Sequence, residues 1–204
     1  MQKSYVSNKR VSLLDKLKQK LFHNLNDIDD FNKLIPSAVM ILLYEKNDEV
    51  HVTLTKRSMD LKLHKGEFCF PGGTQEITDE NLLTSAIREC KEEIGIFDSD
   101  FEILGRLPGY AKTSTHYIVG FIGKTRFGYK YHLNDQEVNS IIEIPLKKLM
   151  NPSNMRYEYL MDENDRIKKI CCFGYNGNYI FGATAVLLSN LICVFEAIEG
   201  NKCE

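Results

Sequence analysis

The sequence has no excess of either charge. Its 26 Lys+Arg and 28 Asp+Glu leave a formal net charge of −2. No global basic field draws such a chain to nucleic acid or to an anionic membrane surface. Also missing is any Cys-x-x-Cys spacing among Cys69, Cys90, Cys171, Cys172, Cys193 and Cys203, so a structural zinc site is not expected. Several of these cysteines sit in apolar runs, where a free thiol behaves as a small buried hydrophobe. There is no secretory apolar segment, which points to a reducing, intracellular and first of all cytoplasmic setting. No apolar run reaches the roughly 18 residues that span a bilayer, so no membrane partner is expected. Internal repeats and low-complexity tracts are absent too. What remains is 204 residues, 43% hydrophobic and 26% charged. That suits one globular domain with a sizeable core and a small extension.

Residues 1–34 read as a helical extension ahead of a domain at 35–204. Leu13, Leu14, Leu17, Leu21, Phe22 and Leu25 recur near helical spacing, with Lys16, Lys18 and Lys20 between them. A helix laid on the domain surface accounts for this. A mitochondrial presequence is the sharper alternative, and Asp15 and the scarcity of Arg count against it. The C-terminal Asn201-Lys202-Cys203-Glu204 is not a peroxisomal signal of the Ser-Lys-Leu type.

Ser37–Tyr44 and the alternating Val50–Lys56 read as a hairpin around Lys46-Asn47-Asp48-Glu49. Glu67–Phe70 is a short strand that stops at Pro71-Gly72-Gly73, where a sharp loop is expected. A helix follows, capped by Thr78 or Asp79 and ended by Gly95. Phe101–Leu107 and His116–Ile122 are strand candidates, and 129–139 is a polar loop. A short helix starts at Pro145. Arg156–Met161 and Ile167–Phe173 suit a hairpin around Asp162–Asp165, and Gly182–Ile198 a long apolar helix closed by Gly200. The mixture predicts an α/β fold with a largely antiparallel sheet.

The chemistry concentrates on the helix before Gly95. Leu82, Leu83, Ala86, Ile87, Cys90 and Ile94 form one apolar stripe. Glu89, Glu92 and Glu93 stand beside that stripe at i, i+3 and i+4, where like charges repel. Three acids at the edge of a core, behind a glycine turn, suit a divalent cation. Mg²⁺ takes a few carboxylate oxygens, keeps waters and accepts substrate phosphate oxygens. Arg88 can hold one acid in place. Arg57, Lys62, His64 and Lys65 make a basic stretch ahead of the turn, suited to phosphate.

Residues 73–96 resemble the Nudix box, Gly-x5-Glu-x7-Arg-Glu-U-x-Glu-Glu-x-Gly-U with U aliphatic. Arg88 to Ile96 match its second half, Cys90 standing for the aliphatic residue. The interval from Gly73 to Arg88 is one residue longer than the general pattern, so either Asp79 or Glu80 takes the place of the early glutamate. Residues 53–73 are similar to the signature that precedes the box in coenzyme A pyrophosphatases, L-L-T-x-R-S-x3-R-x3-G-x3-F-P-G-G. Leu54, Thr55, Arg57, Ser58, Gly66, Phe70, Pro71, Gly72 and Gly73 match, while Thr53 and Lys62 replace a Leu and an Arg. Gln136-Glu137-Val138, Ile144-Pro145-Leu146 and Tyr179–Ala185 resemble later stretches of the same subgroup.

The resemblance implies a Nudix α/β/α sandwich and a Mg²⁺- or Mn²⁺-dependent hydrolase. It would split coenzyme A or a derivative into 3′,5′-ADP and a 4′-phosphopantetheine species. Glu89, Glu92 and Glu93 would hold metal. Glu92 or Glu137 would be the general base, with Arg88 beside them. Arg57, Ser58, Lys62, His64, Gly72 and Gly73 would meet the substrate. Another nucleoside diphosphate compound, such as ADP-ribose or a dinucleotide polyphosphate, is the alternative substrate, and a non-catalytic nucleotide-binding module the alternative class. The expected partner is a small molecule, and a homodimer is compatible with it.

Overall fold

The apolar run after residue 34 becomes the central strand of a large sheet. The computed structural model describes residues 11–25, 33–161 and 165–200. A first helix, α1, spans Leu13–Lys18, and the strand β1 spans Ile35–Lys46. The next strands are β2 (Glu49–Arg57), β3 (Phe68–Cys69) and β4 (Gly72–Thr74). Helix α2 (Leu82–Ile94) precedes β5 (Glu102–Arg106), β6 (Ala111–Lys112), β7 (His116–Lys124) and β8 (Val138–Pro145). After α3 (Leu146–Leu149) come β9 (Met155–Met161), β10 (Ile167–Tyr175), β11 (Asn178–Ile180) and α4 (Gly182–Glu199).

The main sheet runs β3-β2-β1-β7-β5, with β4 on β1, β6 on β7 and β8 on β2. Among the described residues, β1 and β7 pair in parallel and the other pairs of this sheet are antiparallel. A second sheet has the order β11-β10-β9. β1 divides one edge between two partners. Its end, Leu43–Lys46, pairs with β2, and Ser37–Val39 pair with β4. β2 therefore leaves β1, and the glycine strand fills the space it vacates.

Alternation along β1 sends side chains to two cores. Ala38, Met40 and Leu42 pack with Ala86, Cys90 and Ile94 of α2. Ile41 and Leu43 pack on the other side with Leu187, Leu188, Leu191 and Phe195 of α4. The result is an α/β/α sandwich. Leu14, Leu17 and Leu21 are buried within the α4-side core, so these N-terminal leucines are part of it rather than a layer over it. The helix there is short and ends before Leu21.

The β1–β2 hairpin turns at Asn47 and Asp48, both with positive φ (51° and 61°), the geometry that matches strand twist. Four sequence expectations need correction. Gly72-Gly73 lie in a strand, not a loop, because β1 offers them an unpaired edge. The cap of α2 is Asn81, whose side chain accepts from the Thr84 N–H, rather than Thr78 or Asp79. Cys193 is disulfide-bonded, whereas Cys69, Cys90, Cys171 and Cys172 are free. Finally, α4 has 18 residues of mean hydropathy 1.5, long and apolar enough to cross a membrane by composition. Its Ala185, Leu187, Leu188, Leu191 and Phe195 are instead buried in the core. The expectations for 1–10, for the turn at 162–164 and for 201–204 lie outside the described residues.

Candidate active site

Helix α2 ends at Gly95, which takes a left-handed φ of 63° and bonds back to Cys90 and Lys91 carbonyls. The chain then returns over that end as a loop before β8. The His132 N–H donates to the Ile94 carbonyl at 2.9 Å, and the Asn134 N–H to that of Glu93 at 2.9 Å. These bonds satisfy carbonyls that a helix end leaves unpaired. They also carry Glu137 to the acids of α2. One carboxylate oxygen from each of Glu89, Glu93 and Glu137 lies within 4.8 Å of the other two. Asn134 Nδ2 donates to Glu137 Oε1 at 3.3 Å.

Strand β4 closes the opposite wall. A Cβ on Gly73 would sit 2.3 Å from Glu89 Oε1, and one on Gly72 would sit 2.3 Å from the Ala38 carbonyl. Only glycine lets the strand pass both the sheet and the acid. Glu93 Oε2 is buried with no hydrogen-bond partner. Burial first, then the charges of Glu89 and Glu137, push Glu93 up to about 8, against the pull of Arg57. Burial also raises Glu89, opposed by Arg88.

Arg88 organises the rim. Its Nε and Nη2 donate to the two oxygens of Asp79, each at 3.1 Å, a bidentate pair. Nη1 reaches Glu89 Oε1 at 2.9 Å and Glu92 Oε2 at 3.0 Å, and Nη2 the Thr74 carbonyl at 3.1 Å. The Arg88 guanidinium holds the Asp79 carboxyl below the usual range, and Asp79 in turn raises Arg88. Asp79 is buried and Glu80 exposed, so Asp79 is the early acid that meets Arg88. Glu92 stands outside the cluster, half exposed and paired with Arg88. The third clustered carboxylate is thus Glu137.

The positive charge of Arg57 acts to lower both the Glu93 carboxyl and the Cys69 thiol, and its Nε is buried without a hydrogen-bond partner. Ser58 is buried, and its N–H donates to the Glu137 carbonyl at 2.8 Å. Lys62 and His64 are exposed on the β2–β3 loop, and the His64 ring contacts Glu67 Oε2 at 3.0 Å. No contact ties Lys62 or His64 to the carboxylates among the described residues. Sequence reasoning missed Asn134, and it did not foresee that Thr55 meets Cys69. The Thr55 hydroxyl lies 3.2 Å from the Cys69 sulfur, and nothing in the local pattern marks that contact.

Three clustered carboxylates, one with a buried orphan oxygen, are costly together unless a cation joins them. The donor set is all oxygen and so fits a hard divalent ion. Bound there, such an ion would neutralise diphosphate charge and acidify a water. The chain's own part is positional: Arg88 fixes the rotamer of Glu89, burial at the helix edge holds Glu93, and the loop end presents Glu137.

A mixed α/β/α sandwich with these carboxylates beside a glycine strand defines the Nudix class of hydrolase scaffold. A family profile described as NUDIX domain matches residues 34–162, and the chain belongs to that family. It is a Nudix diphosphatase, and enzymes of this family generally use divalent metals. The chain is 31% identical over 144 residues to the uncharacterized Nudix hydrolase NudL of Yersinia pestis (strain Pestoides F), covering 70% of this chain and 71% of that one. NudL of Yersinia pseudotuberculosis serotype O:1b (strain IP 31758) matches to the same extent. Among solved structures, a MutT/nudix family protein from Enterococcus faecalis superposes with a TM-score of 0.51 at 14% identity, over 86% of this chain and 71% of that one. A NUDIX hydrolase from Nitrosomonas europaea gives 0.51 at 16%, over 85% and 77%. These two likenesses bear on the fold.

Proposed function

We propose that the protein hydrolyses the diphosphate bond of coenzyme A or a derivative, releasing 3′,5′-ADP and a 4′-phosphopantetheine species, with Mg²⁺ or Mn²⁺. The observation that carries this reading is the path of residues 53–73. The stretch that resembles the coenzyme A pyrophosphatase signature forms β2, β3 and β4, and it runs along the carboxylate cluster at three points. The charge of Arg57 acts on Glu93, the Ser58 N–H donates to the Glu137 carbonyl, and Gly73 lies against Glu89. Signature residues beside the carboxylate cluster support the reading, because phosphates next to the bond that breaks would need partners there.

In-line attack on phosphorus rests on positioning and charge neutralisation. Glu89, Glu93 and Glu137 are the proposed metal ligands. Glu137 is also favoured over Glu92 as the carboxylate that receives the water's proton, because Glu92 is committed to Arg88. The test is product analysis: purified protein with Mg²⁺ or Mn²⁺ and coenzyme A should release 3′,5′-ADP. Cleavage of ADP-ribose or a dinucleotide polyphosphate with coenzyme A left intact would overturn the substrate assignment.

A further inference from the structure

We propose that two copies of this chain form a symmetric dimer through strand β9, a second β9 lying antiparallel to the first about an axis at Tyr157. β9 is the edge of the second sheet: among the described residues it pairs with β10 and with no strand on its other side. It follows β10 without a register shift, from Met155 opposite Phe173 to Met161 opposite Ile167. No bulge bends that edge, and the strand holds no proline and no lysine. Those are common devices that keep an edge strand from pairing with another chain.

Alternation puts Met155, Tyr157, Tyr159 and Met161 on one face, together with their partners Phe173, Cys171, Lys169 and Ile167 of β10. At the base of the hairpin this face joins the core. Phe173 is fully buried, and Cys171 Sγ lies 4.0 Å from Ser189 Oγ of α4. Further out the same face stands in water: Tyr157 is 49% exposed, Tyr159 68%, Met161 69% and Ile167 72%. Lys169 Nζ lies 3.7 Å from the centre of the Tyr157 ring. The patch is one surface, and it ends at an edge that presents backbone N–H and C=O groups. A strand added there gains from apolar cover and from backbone pairing together.

Charge complementarity selects a second copy as the occupant. The other face of β9 carries Arg156 and Glu158, whose side chains pair at 2.9 Å, and the Arg156 guanidinium lies 5.0 Å from the Tyr179 ring centre. With the two-fold axis at Tyr157, antiparallel pairing sets Arg156 of each copy opposite Glu158 of the other, so the match occurs twice. On the apolar face the same register sets Tyr157 against its own mate and Met155 against Tyr159. Aromatic and opposite-charge pairs of this kind stabilise a sheet. An axis one residue along, at Glu158, would put two glutamates face to face. Pairing at Tyr157 joins the two three-stranded sheets into one, with both α4 helices on the same side.

Sedimentation velocity of the full chain, from micromolar to sub-millimolar protein, should show a concentration-dependent monomer–dimer equilibrium. Glu158→Arg and Arg156→Glu should each weaken the dimer about tenfold or more, since each turns two attractive pairs into repulsive ones. Mixed in equal amounts, the two variants should recover the dimer, because every Arg then meets a Glu. Both substitutions in one chain should dimerise as the unmodified protein does. Circular dichroism and Tm check that each variant is folded, and the combined variant carries the test if a single one is not. An unmodified protein that stays monomeric throughout overturns the inference. So does a dimer that both single variants keep, because the interface then lies elsewhere. Single variants that stay monomeric when mixed, or a folded combined variant that stays monomeric, overturn it too, because the charges then do not meet across the axis.

Discussion

Glu93 is the most deeply buried carboxylate of the cluster. It is buried beside the apolar stripe of α2, and one of its oxygens has no partner. Glu93→Gln keeps the shape and removes the charge, so turnover should fall roughly 100-fold or more while circular dichroism stays unchanged. Glu137 and Glu92 separate by the same measurement. Glu137→Gln should cost about as much as Glu93→Gln, whereas Glu92→Gln should cost clearly less, since its partner Arg88 keeps Asp79 and Glu89. Equal losses at 92 and 137 would mean that Glu92 turns into the site during catalysis. Asp79 and Glu80 form a second pair. Asp79→Asn breaks a bidentate contact and frees Arg88, so kcat should fall; Glu80→Gln, at an exposed position, should leave it unaltered. The opposite ranking would reassign the early acid of the box.

At the scale of elements, α2 is set by both of its ends. Asn81 accepts the Thr84 N–H at 3.0 Å, and Gly95 bonds the last turn. Asn81→Ala should destabilise the fold by about 1 kcal/mol, read as a Tm lower by roughly 2–4 °C. Thr78→Ala, outside the helix, should not move Tm. The stripe and the acids beside it were legible in the residues, because helical spacing alone fixes which side chains share an arc. The cap was not: Thr78, Asp79 and Asn81 all have capping chemistry, and only packing decides where the first turn starts. The glycine strand was illegible for a related reason. Pro71-Gly72-Gly73 has turn chemistry, yet its backbone groups pair with β1 once β2 has diverged.

For the whole molecule, the site is a charge assembled at a core edge. Glu93 has a folded-state pKa near 8 against an ordinary 4.5. Below about 4.5 both folded and unfolded chains hold its proton, so it exerts no pull on stability. Between about 4.5 and about 8 the unfolded chain releases the proton and the folded chain keeps it, so stability falls as pH rises. Metal-free protein should therefore lose Tm across that interval. Millimolar Mg²⁺ or Mn²⁺ should raise Tm more at the upper end, where the ligands ionise readily. A flat Tm profile in chelator, or no response to either ion, would speak against a metal centre built on Glu93.

The residues alone determined the α/β character, the β1–β2 hairpin, the long last helix and the acidic edge of α2. Each follows from spacing between near neighbours, and local periodicity is enough to read it. Tertiary structure decided three matters that spacing cannot. Glu137, far along the chain, joins Glu89 and Glu93 because the loop before β8 satisfies the carbonyls at the end of α2. Asp79 rather than Glu80 meets Arg88, because one is buried against the guanidinium and the other faces water. Gly73 is required because its missing Cβ is the space that Glu89 occupies. All three depend on which distant surfaces touch, and those contacts exist only once the sheet has closed on its helices.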